Sequence, residues 1–491
     1  MRQTSLNRSV MWWVAAAALL GCLTFAGGGC PNLFPGGTTD GVTDGDGTTD
    51  GDGTTDGDGT TDGDGTTDGD TVTPGNSGLT GKYVGSSVCA TCHRTTHTQW
   101  TATLHAGALE TLEAAGQDTN SHCVGCHVVG YGEAGGFVDR ATTDDLAGVG
   151  CESCHGAGGD HIADVTDKTK VPSKSISSAV CGKCHTGTHH PHYEDWQTAG
   201  HSMIDEHVGG YFTAGTQLTS CGECHSGDYF VNAVVNGETV AADALAGVSL
   251  EQMSRIECAV CHDPHARTNN AIMPDEGRDF QLRYAEVTTP VPTNTVAAAT
   301  DETRFNLCGQ CHHSREATWS ATSRGPHHSV QANVYTGEMP VPDGTAALVY
   351  SRTSVHSFAP EQCATCHLYR EDYQSEVAPT ISGHKFSVNM SSCSATGCHP
   401  SASAATTAKT VLQGEMEARL TDIATRLGDP TTWEYSAEGG PSDQSGITDL
   451  TKKVRFIYHY VSNDGSLGIH NPDYVRALLE EADKLLTADG K

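Results

Sequence analysis

The sequence predicts a mainly α fold with much coil, whose interior is filled by something other than side chains. Three observations carry this. Only 36% of the 491 residues are hydrophobic and 6% aromatic, lean for a chain that must bury a core. Eighteen of the 20 cysteines stand in one recurring pattern, two cysteines closed by an immediately following histidine. Long helical periodicity is confined to residues 401–491. The charge balance, 28 Lys+Arg against 60 Asp+Glu for a net −32, disfavours nucleic acid and anionic membranes as partners.

The chain opens with Arg2 and Arg8, then an apolar run from Met11 to Leu20 that is too short to span a bilayer and suits the core of an export signal. Leu19-Leu20-Gly21-Cys22 resembles a bacterial lipobox. Cys30, after Gly27-Gly28-Gly29, is a second lipidation candidate, and cleavage without a lipid is the third reading. From Thr38 to Asp70 an Asp-Gly-Asp-Gly-Thr-Thr repeat carries eleven Asp and no Lys, Arg or Glu. Such a segment does not fold on itself and reads as a tether with a random-coil span of roughly 35–40 Å. Calcium binding is its alternative, without the downstream Glu or flanking helices of an EF-hand. The expected division is a leader (1–21), an acidic linker (22–78), a nine-motif domain (79–400) and a helical region packed on it (401–491).

Eight motifs are CxxCH: Cys89 and Cys92 with His93, Cys123 and Cys126 with His127, Cys151 and Cys154 with His155, Cys181 and Cys184 with His185, Cys221 and Cys224 with His225, Cys258 and Cys261 with His262, Cys308 and Cys311 with His312, and Cys363 and Cys366 with His367. The ninth, Cys393 and Cys398 with His399, has four intervening residues. Two thiols at this spacing add across the two vinyl groups of one haem, and the next residue then lies under the iron as proximal ligand. Four residues make the same reach by looping out. Zinc does not require His directly after every second Cys, and disulfides require no His at all. Nine covalent haem c groups are therefore expected, close enough to touch and to replace side-chain burial.

Seventeen further histidines can supply sixth ligands. An aromatic residue followed by His recurs at Trp100 with His105, Trp196 with His201, Trp319 with His327 or His328, and Tyr373 with His384. His161 follows a glycine turn, where backbone can lie close to a porphyrin face. His265 follows the sixth motif and His356 precedes the eighth. His97, His189, His190, His192, His207 and His313 read as solvated or bonded to propionates.

Tyr83-Val84-Gly85 leading into Cys89, Trp100 with His105, Cys123 to His127, and Gly150-Cys151-Glu152 to His161 together resemble the cytochrome c-554 family over roughly residues 81–225. The resemblance implies a helical, haem-packed fold, export and electron transfer, with His105 and His161 as distal ligands. Asp464-Gly465-Ser466-Leu467-Gly468-Ile469-His470-Asn471-Pro472 resembles the stretch in which a wider clan places an axial His; that clan includes hydroxylamine oxidoreductase, octahaem tetrathionate reductase and pentahaem nitrite reductase. Nitrite reductases of the clan commonly replace one proximal His by Lys, whereas all nine motifs here end in His.

Three helices are expected at the C-terminus: one through Leu412, Met416, Leu420, Ile423 and Leu427, one through Val454, Ile457, Tyr458 and Val461, and one capped by Asn471 and Pro472 and running through Tyr474, Val475, Leu478, Leu479, Ala482, Leu485 and Leu486. They pack within the chain or join subunits of a homo-oligomer. The leading function is electron transfer by an exported, lipid-tethered protein of the periplasm or cell surface, with a basic redox partner or a mineral face. The alternative is an oxidoreductase acting on a small nitrogen or sulfur compound, which needs one open coordination position. Filament assembly through shared His ligands is a third.

Overall fold

The computed structural model describes residues 82–267, 280–283, 307–315, 325–337, 354–359, 361–375 and 377–491. The leader, Cys22, Cys30, the acidic linker and Trp319 lie outside the described residues. Among the described residues there are isolated bridges, such as Glu371 with Ile381, but no strand. No described helix before residue 402 is longer than eight residues. Between them the backbone bonds close turns and loops, as a chain lean in apolar residues requires.

Two stretches of this coil are built alike. Cys151 N donates to Ser86 Oγ at 3.2 Å, and Cys258 N to Ser178 Oγ at 3.0 Å. Trp100 Nε1 donates to Val149 O and Trp196 Nε1 to Ile256 O, both at 3.0 Å. Val149 N donates to His105 O, and Ile256 N to His201 O. A buried carboxylate completes each: Glu152 accepts from Val84 N, Gly85 N and Gly158 N, and Glu257 from Ser178 N. Motifs one to three and motifs four to six are thus two copies of one three-motif unit, in which the first and third motifs are tied together. Each middle motif rests on a small apolar cluster of its own, around Leu109, Val124 and Phe137 in the first unit and Phe212, Leu218 and Met253 in the second.

The main side-chain core is C-terminal. Ser401 caps the helix Ala402–Leu427 by accepting from Ala404 N, and the helix buries Leu412, Met416, Leu420, Ile423 and Leu427 on one stripe. The helix Asp449–Asn463 is capped by Thr448 and buries Val454, Phe456, Ile457, Tyr460 and Val461. The helix Pro472–Ala488 has Asn471 accepting from Tyr474 N and Pro472 in its first turn. These two pair along their length and close on the first. Val330 and Val334, between the seventh and eighth motifs in the chain, lie in the same core, which fastens the helices to the motif region. Arg476 grips Glu415 through two bonds of 2.9 and 2.7 Å across the first and third helices.

Candidate metal centres

Each motif is a helical turn that brings its two thiols and its imidazole to one side. His93 N bonds Cys89 O at 2.9 Å, His185 N bonds Cys181 O at 3.0 Å, and His262 N and His312 N bond Cys258 O and Cys308 O at 2.9 Å. In the ninth motif the closing bond runs from His399 N to Cys393 O at 3.0 Å, across two more residues. Gly397, at φ +75°, makes that loop-out possible, since a side chain there would be strained. His399 therefore comes to the position that the shorter motifs give their histidine.

Seven proximal histidines face a second histidine ring at a nearly constant separation. The centroid distances are 6.0 Å for His155 with His265, 6.1 Å for His312 with His201, 6.2 Å for His185 with His105, His262 with His384 and His367 with His470, 6.3 Å for His399 with His356 and 6.4 Å for His225 with His327. The interplanar angles run from 4° to 73°. Rings in mutual contact would lie closer and favour certain tilts. A metal held between two ring nitrogens, with bonds of about 2 Å on each side, would put the imidazole centroids about 6 Å apart, and His185 has a second ring, His190, at 6.3 Å. The donor set fits haem iron.

Second bonds orient these rings. The Nδ1–H groups of His127, His262, His356, His367 and His384 donate to the carbonyls of Ala108, Phe280, Ile469, Phe386 and Ser382, at 2.6 to 3.0 Å. His155 does the same to Ser173 O, and His327 Nδ1 bonds Ser329 Oγ at 3.0 Å. Each leaves Nε2 for a metal. Burial pushes the His185 and His384 imidazoles down to about 3, and His201 down to about 4, with neighbouring histidines adding to the effect. They are neutral at pH 7, the state a ligand must have.

Three predicted ligands stand apart. Among the described residues His93, His127 and His161 face no second histidine ring at this separation, although His127 lies within electrostatic reach of His190. The glycine turn before His161 packs on backbone: Gly159 N donates to Lys82 O at 3.0 Å, and a Cβ at Gly159 would come within 2.8 Å of Lys82 N. His161 is thereby held beside the strand of chain entering the first motif, with a buried Nδ1 that no protein group meets. Tyr373 stacks on His189 at 3.8 Å and not on His384. The spare His192 lies 5.5 Å from His185 and 4.9 Å from His384, packed between two of the paired centres. Nothing in the sequence distinguished it from a solvated histidine. The same holds for the tying residues Ser86, Ser178, Glu152 and Glu257, which have no role until the motifs are folded together.

The sequence model of the cytochrome c554 and c-prime family matches residues 88–156. Cytochrome c-554 of Nitrosomonas europaea is 36% identical over 134 residues, which cover 21% of this chain and 57% of that protein. The stretch matched by the family model holds the first three motifs, so the likeness to the cytochrome c-554 family is carried by that part of the chain. The chain spans a little over half the length of the curated relative it matches. The fold extends further. The undecahaem cytochrome from the S-layer of Carboxydothermus ferrireducens matches with a TM-score of 0.52 at 21% identity, covering 83% of this chain and 69% of that chain. The outer cell wall cytochrome OcwA matches with a TM-score of 0.52 at 18% identity, covering 82% of this chain and 99% of that chain.

Thiols of different motifs lie close together. Cys89 is beside Cys151, Cys126 beside Cys184, Cys181 beside Cys258, Cys224 beside Cys311, and Cys308 beside Cys363. Cys154 lies near Cys184, Cys261 near Cys308, and Cys366 near Cys393. Seventeen of the motif cysteines are free thiols among the described residues.

Proposed function

We propose that this chain carries electrons along nine covalently bound haem c groups, each motif holding one. Bound haem c supplies a one-electron iron couple at every centre. The observation that carries the proposal is the set of seven histidine pairs: with both axial positions taken, a centre exchanges electrons and excludes small ligands. His161 and one further histidine are proposed to close the centres of His93 and His127. The thiol contacts order the motifs as one, three, four, six, seven, eight and nine, with motif two joined at four and motif five at seven. The duplicated unit explains this regularity, since the first and third motifs of a unit are tied and the second and third both reach the first motif of the next.

Export fits the Arg2, Arg8 and Met11–Leu20 leader, and the S-layer and cell-wall settings of the structural neighbours support it. Among the described residues no helix is long and apolar enough to cross a membrane. Attachment is proposed through a lipid on Cys22 or Cys30, with the acidic linker as tether. A net charge of −32, made more negative by propionates, favours a basic protein or a positively charged mineral face as partner. The oxidoreductase reading survives at two positions, the centres of His93 and His127, where no second ring is paired. Electron paramagnetic resonance of the oxidised protein separates the two: an all-low-spin spectrum unaltered by nitrite supports the carrier. A stoichiometric high-spin signal abolished by nitrite, with turnover of nitrite, hydroxylamine or tetrathionate, overturns it.

A further inference from the structure

Among the paired histidines whose Nδ1 partner is recorded, one differs in kind. His470 Nδ1 donates to Asp464 Oδ1 at 2.6 Å, whereas the other hydrogen-bond partners are backbone carbonyls or the Ser329 hydroxyl, and the one other carboxylate near such a nitrogen, Asp263 at 4.0 Å from His265 Nδ1, is beyond hydrogen-bond reach and more exposed. Asp464 is 3% exposed, and its second oxygen accepts from the Ser466 hydroxyl. This carboxylate sits on a well-held segment. The loop 464–471 joins the helices Asp449–Asn463 and Pro472–Ala488, Gln413 Nε2 donates to Ser466 O at 3.2 Å, and Asn471 caps the second helix while accepting from Ser354 N. The loop also carries Ile469, whose carbonyl orients His356 opposite His399. One turn of chain thus aims the rings facing the eighth and ninth motifs, but only the eighth receives a charge.

We propose that Asp464 is a positioning residue that holds the iron between His367 and His470 at the lowest reduction potential in the chain. An imidazole whose N–H is bonded to a carboxylate is a stronger donor to metal than one bonded to a carbonyl. The buried negative charge acts in the same direction, because it stabilises the more positive oxidised iron, and low local dielectric preserves that attraction. Reduction adds one electron to the iron, supplied by a neighbouring centre that is oxidised by one, with no bond made or broken. Since the eighth motif meets the seventh through Cys363 and the ninth through Cys366, electrons between those two cross an uphill step at this centre.

The inference rests on the ligation proposed above. The test is a potentiometric titration of the full haem-loaded protein, followed by visible and paramagnetic resonance spectra, for wild type, Asp464→Asn, Asp464→Glu and Ser466→Ala. Asp464→Asn keeps the shape and removes the charge; the lowest midpoint should rise by at least a tenfold change in the one-electron constant, about 59 mV, with the other midpoints unmoved. Asp464→Glu should restore most of the shift. If Asp464→Asn fails to retain all its haems by mass, Ser466→Ala decides, with a smaller rise of the same midpoint expected. An unmoved lowest midpoint in the variant that does load, or a shift confined to another centre, overturns the proposal. Absence of a bis-histidine low-spin signal in the wild type would instead refute the ligation itself.

Discussion

Cys258 N donates to the Ser178 hydroxyl at 3.0 Å, and Cys151 N donates to Ser86 in the same way, so the first and third motifs of each unit are joined at the point where their thiols meet. Ser178 is fully buried, and its own N–H is taken by Glu257. Ser178→Ala leaves the Cys258 N–H without an acceptor away from water, which costs about 1–3 kcal/mol. Thermal unfolding of the loaded protein should show a lower Tm for Ser178→Ala, and a larger loss for Glu152→Ala, which strips acceptors from three backbone groups.

Substituting a distal histidine should open one centre belonging to a different motif unit. His201 faces His312 at 6.1 Å and His105 faces His185 at 6.2 Å, with angles of 71° and 69°. In both, the histidine after the tryptophan of one unit reaches the first motif of the next. His201→Ala should give one high-spin iron by paramagnetic resonance, and His207→Ala, at an exposed ring bonded to the Tyr211 hydroxyl, none.

Haem count tests the motifs directly. Intact mass of the purified protein should exceed the polypeptide by nine haems, and a reproducible seven or fewer would refute the reading of the motifs.

Acid should open the paired centres. Burial lowers the His185, His384 and His201 imidazoles to about 3, 3 and 4, whereas in the unfolded chain they titrate near 6.5. Below that value the unfolded state binds more protons, so stability is full above about 6.5 and is lost as pH falls towards 3–4. A visible-spectrum titration should show low-spin absorption giving way to high-spin within that window, and no such change between pH 7 and 9.

Deleting Thr38–Asp70 should leave haem content and visible spectrum unchanged, because the stretch contains no Cys or His. Small-angle scattering should lose only the extended tail. Compaction of the wild type at micromolar calcium would favour the ion-binding reading.

The sequence by itself determined the cofactor chemistry and the C-terminal helices. Thioether attachment is local: two thiols and a histidine at fixed spacing are legible without a fold, even in the longer ninth motif that ends at His399. Helical periodicity through Leu412 to Leu427 is local too, and Asn471 with Pro472 announces a helix start from two residues. What only the tertiary structure decided is long-range. A facing histidine such as His470 or His201 is separated from its partner motif by about a hundred residues, and sequence offers no rule for which pairs meet. The order of the centres, the duplication visible in Ser86 and Ser178, and the carboxylate behind His470 all arise where remote segments close on one another. Spacing along a chain constrains neighbours, whereas packing selects partners by shape, burial and hydrogen-bond satisfaction, and those exist only once the chain is folded.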